Sequence, residues 1–219
     1  KIIMMCGCLN LYKIKLIKGS GVKLRNVLNI AWPVGILTVC FAARLLRDKG
    51  VFEYISAARL LKERGIKARF LLAGDLDTNN PTGLNLDDLN KLKDQGYVEF
   101  IGYHQDIPIL YAKSHIICLP SYREGFPKSL IEAAAANRAV VTTDVPGCRD
   151  AIIPNKSGLL VPVRDSQKSA DALQRLIENP KERITMGIAG RKLAAKEFPM
   201  EKIVNDHREM YQDLVRNSR

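Results

Sequence analysis

The chain has no run of about 18 apolar residues, so no segment reads as a membrane-crossing helix. No secretory signal is legible, and because the first residue is Lys1 rather than Met, the natural start is expected upstream. No arginine-rich run is interleaved with aromatics, so nucleic acid is not an expected partner. No G-x-G-x-x-G follows the first strand-like run, which counts against a dinucleotide dehydrogenase. There are five cysteines, Cys6, Cys8, Cys40, Cys118 and Cys148. Cys6-x-Cys8 lacks a second Cys/His pair at ligand spacing, so no metal is expected. Cys40 and Cys118 lie in apolar runs and read as small core residues. A scattered, odd set suits a reducing cytoplasm.

What is present is enough for one sizeable core: 219 residues, 47% of them apolar. The net charge of +11, from 34 basic and 23 acidic residues, favours anionic partners: a nucleotide, an acidic membrane surface, or nucleic acid. The basic residues are dispersed along the chain.

The most informative stretch runs from Ile116 to Ala136. Ile116-Ile117-Cys118-Leu119 reads as a short buried strand closed by Pro120. A polar loop follows, Ser121 to Glu124, then Gly125-Phe126-Pro127, and from Lys128 the pattern is helical. Pro127 suits a first helical turn, where its missing N–H costs nothing. A helix N-terminus offers open N–H groups and partial positive charge, a natural phosphate site. Glu124 and Glu132 are eight residues apart; in one continuous helix they would be separated by about 12 Å along the axis. General acid/base pairs on one bond stand roughly 5–10 Å apart. The spacing suits two carboxylates gripping opposite ends of an extended ligand, or simply a loop Glu and a solvated helix Glu.

Around this stretch the chain alternates strand and helix. Gly35 to Ala43 reads as a first strand, Val51 to Arg64 as a helix and Lys67 to Ala73 as a second strand, a right-handed parallel unit. Arg44 and Lys49 fall just past the first strand, at the edge where ligands bind in open α/β sheets. A planar fork and a point charge both suit a diphosphate; a solvated basic loop is the plain alternative. Residues 75 to 85 read as a polar loop, Leu86 to Gln95 as a helix and Val98 to Ile101 as a third strand. Of the histidines, His104 sits in the loop after that strand, while His115 and His207 have no partner identifiable from sequence. Ala139 to Thr143 is a further strand, Gly147 to Asp150 a short helix and Gly158 to Val163 a last strand. Asp165 or Ser166 caps a helix to Glu178, Pro180 starts another to about Glu197, and Met200 to Val215 forms the last.

Several motifs in this order carry a resemblance. Pro120-Ser121, Glu124-Gly125-Phe126-Pro127, Leu130-Ile131-Glu132-Ala133, Val140 to Asp144, Pro146-Gly147 and Gly158 to Pro162 resemble the family 4 retaining glycosyltransferases, with their E-x7-E motif. The resemblance covers roughly residues 35 to 215. It implies one half of a GT-B fold: a Rossmann-like parallel sheet with helices on both faces and closing C-terminal helices. It implies a donor-binding domain over 35–219, with residues 1–34 an inter-domain junction or remnant of an acceptor domain. Lys18-Gly19-Ser20-Gly21-Val22 is similar to the family's junction, although Lys23 stands where an Asp is usual. Asn137-Arg138-Ala139 stands where a Gly and a Pro are usual, and Asn can take the left-handed cap.

By the same resemblance, Arg44 and Lys49 bind the diphosphate of a nucleotide-sugar, expected to be a UDP-sugar. Ser129 and Leu130 N–H groups assist, Glu132 accepts from ribose hydroxyls, and Glu124 with Gly125-Phe126-Pro127 positions the sugar. The loop at Gly102 and Tyr103 approaches the base. The catalytic set is then Arg44, Lys49 and Glu124, with no cofactor and no metal. The acceptor, a glycan or lipid-linked glycan, would be held by a second, N-terminal domain, which 34 residues cannot form. The chain alone is expected to bind donor but to transfer little sugar. The last helix would cross back to the other domain. The location is expected to be cytoplasmic, with peripheral contact on the inner face of a membrane. Two other readings stand beside this one: a nucleotide-sugar epimerase fragment of the same fold, and a basic non-enzymatic binder of nucleic acid or membrane, which steep salt dependence would reveal.

Overall fold

The computed structural model describes residues 17, 19, 21–24 and 32–217. Cys6, Cys8, Lys13, Lys15, Lys18 and Ser20 lie outside the described residues.

Short apolar runs with β-branched and aromatic residues become strands, buried in the centre of the sheet and more open at one edge. They are β1 (Thr38–Ala42), β2 (Arg69–Ala73), β3 (Glu99–Gly102), β4 (Ile116–Leu119), β5 (Ala139–Thr143) and β6 (Gly158–Val161). All pair in parallel, in the order β3-β2-β1-β4-β5-β6. The central strands β1, β4 and β5 are buried at every position, because helices cover both faces. Those helices are α1 (Val51–Glu63), α2 (Leu86–Asp94), α3 (Ile107–Ala112), α4 (Lys128–Ala135), α5 (Pro146–Asp150), α6 (Ser166–Glu178), α7 (Pro180–Glu197) and α8 (Met200–Asn217). α1 packs on α6, while α3 and α7 pack on α4.

The strand and helix order matches the sequence reading, with two corrections. β1 and β2 begin later than Gly35 and Lys67, since pairing between them starts at Thr38 and Arg69. α3 was absent from the sequence reading. It is only six residues long, has Pro108 in its first turn, and starts where the Asp106 carboxylate accepts from Ile109 N–H at 3.1 Å. As the sequence reading had it, Glu124 stays in the loop and the helix begins at Lys128, with Pro127 as the N-cap of α4.

Local chemistry sets the helix ends. Asn85 and Asp165 accept from the Asp88 and Lys168 N–H groups at 2.7 and 2.8 Å. Asn137 takes φ 64° just past α4. There Arg138 N–H donates to Ala133 O and Asn137 N–H to Ala134 O, each at 3.0 Å, the Schellman pattern. The cap expected of Asn137 is formed.

At the edge where these helices end, cations meet main-chain carbonyls. Arg138 is fully buried and donates to Tyr111 O at 2.9 Å and Ala112 O at 2.8 Å, at the end of α3. Its guanidinium lies 4.8 Å from the Trp32 ring centre. Burial lowers Arg138 to about 10, so it remains charged at neutral pH. Arg183 donates to Leu176 O at 2.7 Å at the end of α6, and Arg191 to Ala135 O at the end of α4. His115 has partners here too. Its Nδ1 accepts from Thr38 N–H at 3.0 Å, and its Nε2 faces Pro33 O at 3.0 Å.

Residues before β1 also pack on this domain. Val22 N–H donates to Phe198 O at 2.9 Å, and Met200 N–H to Val22 O at 3.1 Å. This bridge ties the 21–24 segment to the α7–α8 corner, where Phe126 and Phe198 meet edge to face at 5.2 Å.

Candidate functional site

The strand order reverses direction between β1 and β4. In such sheets the loops leaving the two strands diverge and open a crevice at their carboxyl ends. Arg44 and Lys49 leave β1, and Glu124 leaves β4. The crevice brings Lys49 and Glu124 together: Nζ and Oε1 are 2.5 Å apart, with the side chains only 22% and 10% exposed. An ion pair this shielded keeps most of its Coulomb attraction.

Two close backbone approaches hold the pair's loops. A Cβ at Gly50, where φ is 76°, would strike the Pro120 carbonyl, so only glycine lets α1 begin against the end of β4. A Cβ at Gly147 would strike the carbonyls of Glu124 and Gly125, so the Pro146-Gly147 corner seats directly on the loop. Thr142 Oγ1 donates to Leu119 O at 2.7 Å and Thr143 Oγ1 to Ser121 O. The threonines that end β5 thus anchor the base of the Glu124 loop. Cys148 is buried beside them, and burial pushes its thiol up to about 11, so it is not a nucleophile.

Arg44 is also ion-paired, to Asp77 at 2.5 Å, but this pair is open, with the two side chains 62% and 24% exposed. Both line a cavity of about 480 Å³ together with Gly74, Tyr103, His104 and Gln105. Tyr103 is 70% exposed and stands at the cavity mouth. Gly102 ends β3 with φ 66° and its carbonyl accepts from Gly74 N–H at 2.9 Å. Glu132 lines a second cavity of about 450 Å³ with Lys23, Gln105, Ile107 and Lys128. Gln105 and Ile107 border both cavities, so the two share a wall. Glu132 pairs with Lys128 at 3.2 Å and is 15% exposed.

At the start of α4, Ser129 N–H is among the donors a helix beginning leaves open. Leu130 differs from expectation: its N–H donates to Pro127 O at 3.1 Å and its side chain is fully buried. Phe126 is partly buried against Phe198, and a Cβ on Gly19 would strike its ring. Gly125 is exposed and Pro127 buried.

The sequence reading put Arg44 and Lys49 after the first strand, Glu124 in the loop after the fourth and Glu132 in the helix that follows, and the structure has them there. It did not find Asp77 as the partner of Arg44, 33 residues away, nor Lys128 as the partner of Glu132. Among the described residues, no three His, Cys, Asp or Glu side chains gather as a metal set. No helix there is long and apolar enough to cross a membrane.

The fold defines a Rossmann-like, doubly wound α/β domain with a crevice at the carboxyl ends of β1 and β4, the place where open α/β sheets bind ligands. The sequence profile of the glycosyl transferases group 1 matches residues 29–193, and the chain belongs to that family. It is 28% identical over 196 residues to the capsular polysaccharide biosynthesis glycosyltransferase CapM of Staphylococcus aureus, covering 90% of this chain and 50% of CapM. It is 34% identical over 148 residues to the Campylobacter jejuni N,N'-diacetylbacillosaminyl-diphospho-undecaprenol alpha-1,3-N-acetylgalactosaminyltransferase, covering 68% of this chain and 37% of the enzyme. The chain thus spans half or less of these curated relatives. Sucrose-phosphate synthase from Thermosynechococcus elongatus superposes with a TM-score of 0.79 at 27% identity, over 93% of this chain and 53% of that one. Anabaena HepE in complex with UDP and glucose superposes with a TM-score of 0.75 at 21% identity, over 88% and 55%. These are GT-B glycosyltransferases, and the chain has the fold of a GT-B domain.

Proposed function

We propose that this chain is the donor-binding domain of a retaining GT-B glycosyltransferase that takes a UDP-sugar. The observation that carries the proposal is the shielded Lys49–Glu124 pair at the switch point, flanked by Arg44 and the N-terminus of α4. Diphosphate oxygens entering there would meet Lys49, Arg44 and the Ser129 N–H. As the bond to the sugar breaks, negative charge grows on the leaving diphosphate, and fixed cations stabilise that change more than the ground state. Glu132, in the second cavity, accepts from ribose hydroxyls. Glu124 and the Gly125-Phe126-Pro127 backbone hold the sugar, and the Gly102–Tyr103 loop faces the base. The residues present supply the compensating charge without a metal. UDP is the ligand named with the Anabaena neighbour, which supports that choice of base.

In this proposal residues 35–219 are the donor domain and residues 1–34 belong to the junction or to an acceptor domain. The acceptor is a glycan or lipid-linked glycan, in keeping with the diphospho-undecaprenol in the Campylobacter relative's name. The +11 charge suits peripheral contact with an acidic membrane surface on the cytoplasmic side.

Calorimetric titration with UDP, and with GDP, ADP and NAD as controls, tests the assignment. The expected result is selective UDP binding that weakens about tenfold or more in Arg44→Ala, the range for a lost charge-assisted hydrogen bond. Tight binding of another nucleotide changes the donor. No nucleotide binding by the chain rejects the proposal that this domain binds donor by itself.

A further inference from the structure

Lys49 and Glu124 lie on separate loops, and two long side chains meet reliably only if those loops are held in register. The connection runs through residues that do not belong to the pair. Tyr122 N–H donates to Asp48 O at 2.8 Å and Ser121 Oγ to the same carbonyl at 2.9 Å. These bonds join the residue before Lys49 to the strand end before Glu124. A third bond joins side chains: Tyr122 OH donates to Glu53 Oε1 at 2.7 Å. Glu53 is in the first turn of α1, four residues after Lys49, and Tyr122 is two residues before Glu124.

The surroundings of this bond favour its permanence. The helix start stabilises a carboxylate at Glu53. Glu53 Oε2 is shut off from solvent without a hydrogen-bond partner, so the phenol supplies the carboxylate's compensating donor. The Arg164 guanidinium, from the loop after β6, lies 4.8 Å from the Tyr122 ring centre and packs on it. Burial and the Glu53 carboxylate push the Tyr122 phenol up to about 12, so it stays a donor across the neutral range.

We propose that Tyr122 and Glu53 are positioning residues: their hydrogen bond locks the β4–α4 loop to the start of α1 and so sets the Lys49–Glu124 geometry that the donor meets. The inference rests on the donor reading above. It gives a function to two residues that make no ion pair with Lys49, Glu124 or Arg44.

The test is UDP titration of the full chain at 25 °C, with folding of every variant verified by circular dichroism. Tyr122→Phe, which removes one oxygen and keeps the ring, is expected to weaken UDP binding about fivefold, within the range for coupled neighbours. Glu53→Ala does the same, and Glu53→Gln, which retains an acceptor, recovers most of the affinity. In a Lys49→Ala background, Tyr122→Phe has no further effect, because the interaction it positions is gone. Unchanged affinity in Tyr122→Phe and Glu53→Ala overturns the positioning role while leaving the donor site intact. A loss that is fully additive with Lys49→Ala also overturns it, since a general loss of packing behaves that way. A wild type that binds no UDP overturns both this inference and the reading beneath it.

Discussion

Basic side chains stand at both edges of the sheet and are used in opposite ways. At the carboxyl edge, Lys49 and Arg44 face the carboxylates of Glu124 and Asp77. At the amino edge, Arg138, Arg183 and Arg191 face the carbonyls that end α3, α6 and α4. A carboxylate on a loop can be exchanged for a phosphate oxygen, because both are anions with similar acceptors. A helix-terminal carbonyl is part of the main chain, cannot leave, and would otherwise stand unsatisfied. The first arrangement can be opened by a ligand; the second holds helices to one another. Polarity alone does not separate them; the kind of acceptor does.

The comparison breaks most severely at Arg138. Arg138→Ala leaves the Tyr111 and Ala112 carbonyls without this donor and removes the cation stacked on Trp32. The expected cost is about 3 kcal/mol or more, read as a lowered urea midpoint with unchanged slope. UDP affinity of the folded fraction should not change. A variant that loses UDP binding at full stability would show that the amino edge is not merely structural.

His115 probes the same edge through pH. Burial, reinforced by the Arg183 and Arg138 charges, holds its pKa below the ordinary histidine value. The unfolded chain therefore takes up the proton first. Stability is full above the unfolded pKa of about 6.5 and falls as pH drops below it, levelling once the folded value is passed. Protonation would also turn Nδ1 from an acceptor into a donor facing Thr38 N–H. Urea denaturation at pH 7.5 and 5.5 should show the loss, and His115→Gln should flatten it. An unchanged pH slope in that variant assigns the effect elsewhere.

The smallest effect is expected at Asp77, and it sharpens the contrast. Asp77→Asn removes the charge that faces Arg44 but keeps an acceptor. Stability should change by less than about 1 kcal/mol, as for exposed ion pairs. UDP binding should tighten about two- to fivefold, since the incoming diphosphate no longer meets that carboxylate. Weaker binding would mean that Asp77 orients Arg44 rather than competing for it.

Much of the fold was legible because its signals are local. The apolar runs at Val39, Phe70, Ile116 and Val140 are short and bounded by turn residues, and the helix after the last strand has its cap at Asp165. α3 escaped because six residues with a proline in the first turn show no helical period. His115 seemed partnerless because its partners, Thr38 and Pro33, lie 77 and 82 residues away. The candidate residues were legible where a motif is continuous, from Glu124 to Glu132, or where they follow a strand end, as Arg44 and Lys49 do; their partners across the chain were not. Leu130 was misjudged as an open donor because a tightened first turn, which binds its N–H to Pro127, leaves no mark in residue order.

Sequence alone determined that alternating strands and helices would build a parallel sheet, since parallel strands need long crossovers and right-handed ones pack back on the sheet. It also determined that Arg44, Lys49 and Glu124 would follow strand ends. Tertiary structure decided that β1 and β4 would be neighbours, and so that Lys49 would meet a residue 75 positions away. It likewise decided which cations would face carboxylates and which would face main-chain carbonyls. Those choices depend on where separate segments come to rest, and no local propensity encodes an acceptor supplied by another part of the chain.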